Sequence, residues 1–484
     1  MPLAFYKTRE EMKGVGEGDY AALCTSSPEV QKYLVDSIAH VCRAVPDLAG
    51  FFTITASENL TNCWSHSSGA GCPRCGKRQP AEVIAELNGL FRKGIQEAGT
   101  KSQLIAWDWG WADAWAEGII NRLPTDVALM SVSEWSIPIN RGGVASEVGE
   151  YSISVIGPGP RAKRHWQWAR QRGLKTLAKI QAGNTWELSA VPHIPALENV
   201  ARHASNLRET DLDGLMLGWT LGGYPSPNLE VVAEMARGDK KSKPPGVAEV
   251  LQRVAQRRFG PTMSPAVVEA WRQFSAAFSE FPFNGSLVYS APLQMGPSNP
   301  LWGEPTHYHA SMVGIPYDDL DGWRTVYPVE AFIGQMDKVA GGFEAALAGL
   351  KKAAESNQAK LSAAELEELA RELNVAEAAT LHFRSVVNQA RFVQARQALA
   401  AVKSPADASD WLLILQKVLI NEIELAKKLY AIQSRDSRIG FEASNQYYYV
   451  GVDLAEKAVN CHDLLDRWLP AQRAKFVQSP KPGA

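Results

Sequence analysis

Carboxylates and tryptophans recur together in the first half of this 484-residue chain. Glu58 closes the apolar run GFFTITAS with Asn59 beside it, and Asp108 ends QLIAWDW, flanked by Trp107, Trp109 and Trp111. Glu134 and Trp135 close VALMSVS; Asn184, Trp186 and Glu187 follow LKTLAKIQ; Trp219 and Tyr224 fall at and after the end of GLMLGWT. Two carboxyls can divide acid and base work, one protonating a leaving oxygen, the other activating water or attacking carbon. Aromatic faces suit the C–H side of a sugar ring. Cleavage of a glycosidic bond needs both. Against each carboxylate stands a plainer role, capping the next helix or completing an ion pair. Glu58 stands out because a long loop, not a helix, follows it directly. Asp108 and Glu134 are the candidates for base or nucleophile, while Glu187 reads as a substrate hydrogen-bonding or scaffold residue. Arg141 offers a guanidinium to a substrate carboxylate, or an internal partner to Glu134 or Glu150.

A second cluster lies in the loop after Glu58: Cys63-x2-His66-x5-Cys72-x2-Cys75. The Cys-Pro-Arg-Cys knuckle can turn two thiolates onto one metal, and Cys63 with His66 would complete a tetrahedral Cys3His shell. The expected ion is a structural zinc pinning the loop beside the carboxylate, with a disulfide or free thiols as alternatives. Cys24, Cys42 and Cys461 sit alone in apolar contexts and read as buried thiols.

The elements that must position these groups alternate. Strand candidates cover residues 20–25, 50–57, 103–109, 127–133, 174–181 and 214–220, with a weaker one at 151–155. Helix candidates cover 28–45, 80–98, 111–122, 161–172 and 195–207. Repeated βα units with function-rich strand ends favour an α/β fold, a TIM-like (β/α) barrel. No Gly-rich phosphate fingerprint follows the first strand, which counts against a dinucleotide fold. A closed barrel wants eight strands. The residues before position 20 are too few for two more βα units, so the favoured reading is a barrel lacking its first strands. Residues 260–325, rich in Pro, Gly and aromatics, read as ordered loops. Apolar spacing of three to four then predicts helices over 329–355, 363–402, 408–434 and 447–469. The division expected is a barrel domain over 1–325, carrying the Cys/His loop at 63–75, and an α-helical domain over 326–484. The polar and aromatic stretch 436–449, with Asp436, Glu442, Asn445 and Tyr447, is placed to reach over the barrel mouth.

Lys+Arg 50 against Asp+Glu 52 gives a formal net charge of −2, so the overall balance points neither to nucleic acid nor to an anionic membrane. No apolar stretch approaches the ~20 residues of a membrane helix. The charged start, without an apolar signal core, predicts a cytoplasmic protein. A homo-oligomer is compatible with all of this.

GFFTITASEN followed by a long polar loop resembles glycoside hydrolase family 67, the α-glucuronidases, in which a similar strand ends in Ser-Glu and the Glu is the general acid. The resemblance implies that role for Glu58. Around Asp108 and Glu134 the sequence departs from the family's. Residues 20–225 also resemble, more distantly, the family 20 β-hexosaminidases, whose acid is preceded by an Asp that steers the substrate's acetamido group. Here Ser57 holds that place, which disfavours substrate-assisted chemistry. The expectation is a glycosidase releasing a terminal sugar, a uronic acid or an amino sugar, with a carbohydrate as its partner. The alternatives are a non-catalytic carbohydrate-binding or assembly protein on a degenerate barrel, and a zinc-dependent hydrolase.

Overall fold

The computed structural model describes residues 1–56, 59–219, 221, 223–238, 242–309, 317–402, 404–442 and 446–477. The chain opens with β1 (Lys13–Glu17) and β2 (Tyr20–Leu23), then alternates through α1 (Pro28–Ala44), β3 (Gly50–Ile54), α2 (Pro80–Ala98), β4 (Gln103–Trp107), α3 (Asp113–Ile120) and β5 (Ala128–Val132). A hairpin, β6 (Pro138–Arg141) and β7 (Val144–Glu147), precedes α4 (Pro160–Gln171), β8 (Thr176–Lys179), α5 (Leu197–Glu209) and β9 (Gly214–Met216). Helices follow: α6 (Pro227–Ala236), α7 (Val247–Phe278), the short α8 (Ala291–Met295) and α9 (Leu320–Arg324), then α10 (Val329–Asn357), α11 (Ala363–Ala401) and α12 (Pro405–Gln433). Two-residue strands β10 (Phe441–Glu442) and β11 (Gln446–Tyr447) precede α13 (Gly451–Asp463) and α14 (Leu469–Val477).

These elements form two compact units: residues 1–133, 158–179 and 211–216 in one, and 134–157, 180–210 and 217–484 in the other. The first is built on a parallel sheet in the order β3-β4-β5-β8-β9, curled as a half-barrel. Short runs such as Leu104–Trp107 and Ala128–Val132 are buried almost throughout, because parallel strands covered by helices have no wet face. The covering helices carry their boundaries in the sequence. Pro28 and Pro80 open α1 and α2 at positions where a missing N–H costs nothing, Glu82 closes a capping box with Gln79, and Gly99 ends α2 at φ 68°.

The sheet has five parallel strands, and a full barrel is not shown. Three expectations are corrected. Residues 20–25, expected as a barrel strand, instead supply β2. That strand pairs antiparallel with β1, Glu17 opposite Tyr20, through a tight turn in which Gly18 takes φ 56°. Residues 151–155 form no strand, because their polar groups curl around Glu187, as described below. Residues 260–278 are helical, not loop. At Gly260 (φ 70°) α7 is broken, and Pro261 opens the stretch that follows, so the Gly-Pro pair punctuates two helices laid end to end.

In the second unit α7, α10, α11, α12 and α13 pack in series. Burial on most sides of α11, from Leu369 to Leu399, marks it as the central helix. Lys457 of α13 and Glu422 of α12 form a fully buried ion pair at 2.8 Å. Ser385 and Asn388 also donate to the Glu422 carboxylate, giving the buried charges the extra hydrogen bonds they require. Among the described residues no helix is long and apolar enough to cross a membrane.

Candidate functional site

Residues just past the strands decide what a half-barrel of this kind can do. Ser57 and Glu58 lie outside the described residues, so the acid expectation rests on the sequence alone. Thr55, before them, is buried and accepts a hydrogen bond from the Trp111 indole at 2.8 Å. Asn59 is exposed.

Asp108 directly follows β4 and has no exposed surface. Its Oδ2 accepts from Arg161 Nη1 at 3.1 Å and from His165 Nδ1 at 2.6 Å, both on α4. Arg161 also bonds the Asp108 and Trp111 carbonyls at 3.3 and 3.2 Å and the Asp113 carboxylate at 3.0 Å. Burial acts to raise the Asp108 carboxyl, but Arg161 and His165 hold it below the usual carboxylate value. These contacts rivet the end of β4 to α4. They suit an ion-pair centre that fixes the end of the strand.

Glu134 follows β5 by two residues and is almost completely buried. Its Oε1 lies 3.4 Å from His203 Nδ1 on α5. Burial pushes the His203 imidazole down to about 3, so the ring is neutral at neutral pH. The chain turns sharply here. Ile137 N–H donates to the Glu134 carbonyl at 3.2 Å, while Ser136 takes φ 63° and donates to the Val148 carbonyl at 2.8 Å. A non-glycine residue held in the left-handed region costs of order 1 kcal/mol or more and persists where the surroundings demand that geometry. In the same unit Gln181 is buried, with neither end of its amide bonded among the described residues, and it lines a small cavity with Ile153, Ala182, Asn199 and His203.

Glu187 is tied into its own surroundings, as a scaffold residue would be. Its carboxylate accepts from Ser152 Oγ (2.8 Å), Ile153 N–H (2.8 Å), Thr185 Oγ1 (2.7 Å) and both the hydroxyl and amide of Ser154. Burial raises its pKa despite these donors. Asn184 likewise holds its own loop, donating to the Ser189 and Val191 carbonyls at 3.2 and 2.7 Å. Arg141, at the tip of the β6–β7 hairpin, forms no ion pair with Glu134 or Glu150; it bonds the Asn140 carbonyl at 3.1 Å, and its charge acts on Glu280. Glu150 instead accepts from Tyr289 at 3.2 Å.

The aromatic residues divide. Trp107 is core, with Phe52 and Trp109 rings against it at 6.1 and 5.5 Å, and Trp186 is buried on Tyr289 at 5.3 Å. Trp109, Trp135 and Tyr224 are half-buried and Trp219 is exposed, so these keep surface that a ligand could cover. In the polar and aromatic segment near the C-terminus, Gly440 N–H donates to the Ala190 carbonyl of the loop after β8 at 2.8 Å, and Asp436 is held by Arg438. Asn445 lies outside the described residues.

The cysteine cluster forms, with one member changed. Cys24, Cys63, Cys72 and Cys75 are buried and bring their sulfurs within 4.8 Å of one another. His66 is not among them. Its ring turns to the hairpin and meets Glu17 Oε2 at 2.7 Å. Cys24, read as an isolated thiol, takes that place because it directly follows β2 and the hairpin carries it back to the knuckle.

Sequence reasoning also missed Lys179, the last residue of β8 and fully buried, although a lysine within an apolar strand was a visible signal. His203 and the Arg161–His165 pair gave no local signal, since each meets its carboxylate only through folding.

Neither a protein-family model nor a curated protein matches the chain. Among solved structures it is similar to a GH138 enzyme targeting pectin rhamnogalacturonan II, at 10% identity and a TM-score of 0.53, over 92% of this chain and 65% of that one. It also matches a GH89 enzyme from Clostridium perfringens in complex with GlcNAc-α-1,4-galactose (11% identity, TM-score 0.47, 100% of this chain, 51% of that one). A third match is the family 20 chitobiase of Flavobacterium johnsoniae (14%, 0.33, 94% and 64%). The chain thus spans between 51% and 65% of these proteins' lengths. At 10% identity the likeness to the GH138 enzyme is one of fold alone, and the resemblance to family 67 is not shown.

Proposed function

We propose that this protein is a glycoside hydrolase that removes a terminal sugar from a glycan. Glu134 carries the reading: a carboxyl buried beside a neutral imidazole, just past a strand of a sheet whose fold is shared with a GH138 enzyme. In this reading Glu134 is the base or nucleophile, and Glu58 keeps the acid role implied by its family 67 resemblance. Asp108 is a positioning residue. Trp109, Trp135, Trp219 and Tyr224 retain the surface to cover a sugar, and Arg141 has donors to offer a uronate. Fragments of rhamnogalacturonan II are the first substrates to test, with chromogenic uronides and amino-sugar glycosides beside them. The native protein is compared with Glu58→Gln and Glu134→Gln. Turnover lost in both variants supports the assignment; equal turnover in all three proteins sinks it.

The half-barrel favours one second reading, a carbohydrate-binding or assembly protein, since a sheet of five strands offers fewer strand ends for an acid and a base. Glycan binding of equal strength in the native protein and both variants, with no product, would be its signature.

A further inference from the structure

We propose that Cys24, Cys63, Cys72 and Cys75 hold one structural zinc ion as a closed tetrathiolate, which ties the N-terminal hairpin to the loop following β3. The sulfur geometry fits. Zinc–sulfur bonds of ~2.3 Å put the sulfurs of a tetrahedron about 3.8 Å apart. Cys24 Sγ lies 3.6 Å from both Cys72 Sγ and Cys75 Sγ, far beyond the ~2.05 Å of a disulfide.

The surroundings are those a charged metal–sulfur centre requires. Four thiolates around Zn2+ leave a net charge of −2, which burial would penalise without donors. Arg74, inside the knuckle, supplies a cation: Nε donates to Cys24 Sγ at 3.1 Å, and Nη2 donates to the Lys13 carbonyl of β1 at 2.6 Å. The Cys75 amide donates to Cys72 Sγ at 3.4 Å, and the Ser26 hydroxyl lies 3.3 Å from Cys75 Sγ. The backbone is cut to fit as well. A Cβ on Gly14 would lie 2.6 Å from Cys63 Sγ, so only glycine lets β1 approach the cluster.

Four protein ligands leave no open position for water or substrate, so the ion would be structural. Each thiol gives up its proton on binding, and the ion closes a chain segment of 48 residues between Cys24 and Cys72. Tetrahedral sulfur sites also accept iron; zinc suits this one because it takes the geometry with no electronic demand of its own.

The test reads metal, not turnover, so it stands apart from the glycosidase reading. Elemental analysis of the full chain is expected to find one zinc per molecule. Cys24→Ser is expected to lose at least nine-tenths of it, and His66→Ala to keep it. Should Cys24→Ser fail to fold, cobalt exchanged into the native protein reports the ligand set by its absorption, with four thiolates expected over three thiolates and one imidazole. A cobalt spectrum of the mixed set, or zinc lost with His66→Ala, would overturn the site. So would iron in place of zinc, a native chain with no metal, or disulfides found by mass spectrometry.

Discussion

Asp108 and Glu134 each follow a strand of the same parallel sheet and both are buried, yet their surroundings are opposite. Asp108 meets a guanidinium and an imidazole on one helix, an arrangement that holds its charge and fixes a strand end. Glu134 meets an imidazole kept neutral by burial, on a turn where Ser136 is forced into the left-handed region. The contrast teaches that burial at a strand end does not by itself mark chemistry. The partners a buried carboxylate meets, a cation in one case and a neutral ring in the other, set its surroundings apart.

The largest effect should come from Glu134→Gln. Loss of a carboxyl acting as base is expected to lower kcat/KM by ~10²–10⁴ with the melting temperature close to native. If activity and melting temperature instead fell in step, Glu134 would join Asp108 as scaffold. Asp108→Ala should show the reverse. Breaking a buried ion pair from one side costs about 3–5 kcal/mol, read by urea denaturation, while turnover per folded molecule stays near native. A specific collapse of turnover in the folded fraction would erase the division between the two ends. Glu187→Gln, which mismatches several buried donors, is expected to cost roughly 1–3 kcal/mol without a specific effect on turnover.

The most diagnostic effect concerns pH. Burial pushes His203 down to about 3 and His382 to about 4, whereas both titrate near ~6.5 in the unfolded chain. Between those values the unfolded state binds more protons. The stability they lend is therefore complete above pH ~6.5 and falls on acidification toward 3 and 4, by at most about 1.4 kcal/mol per pH unit for each group. His203→Gln should flatten that slope, as denaturation curves at a series of pH values would reveal. An unchanged slope would mean that His203 is not the neutral neighbour that sets Glu134 apart.

Local pattern made much of the fold legible. The apolar runs beginning at residues 50, 103, 127, 174 and 214 became the five parallel strands, and α2 runs from Pro80 to Ala98 as its proline and glycine punctuation required. The same punctuation misled at Gly260-Pro261, where a break between two helices read as the start of a loop. The candidate site was less legible. Strand-end positions picked out Asp108, Glu134 and Glu187, but not which would be bound by an arginine and which by backbone amides and hydroxyls.

By itself, then, the sequence determined the elements, the strand ends and the cysteine knuckle, because periodicity, caps and a CxxC turn act over a few residues. Only the tertiary structure decided that residues 20–23 pair with β1, that Cys24 and not His66 completes the sulfur cluster, and that Asp108 meets Arg161 and His165, 53 and 57 residues further on. Those partners are chosen by chain reversal and burial, which no local spacing encodes.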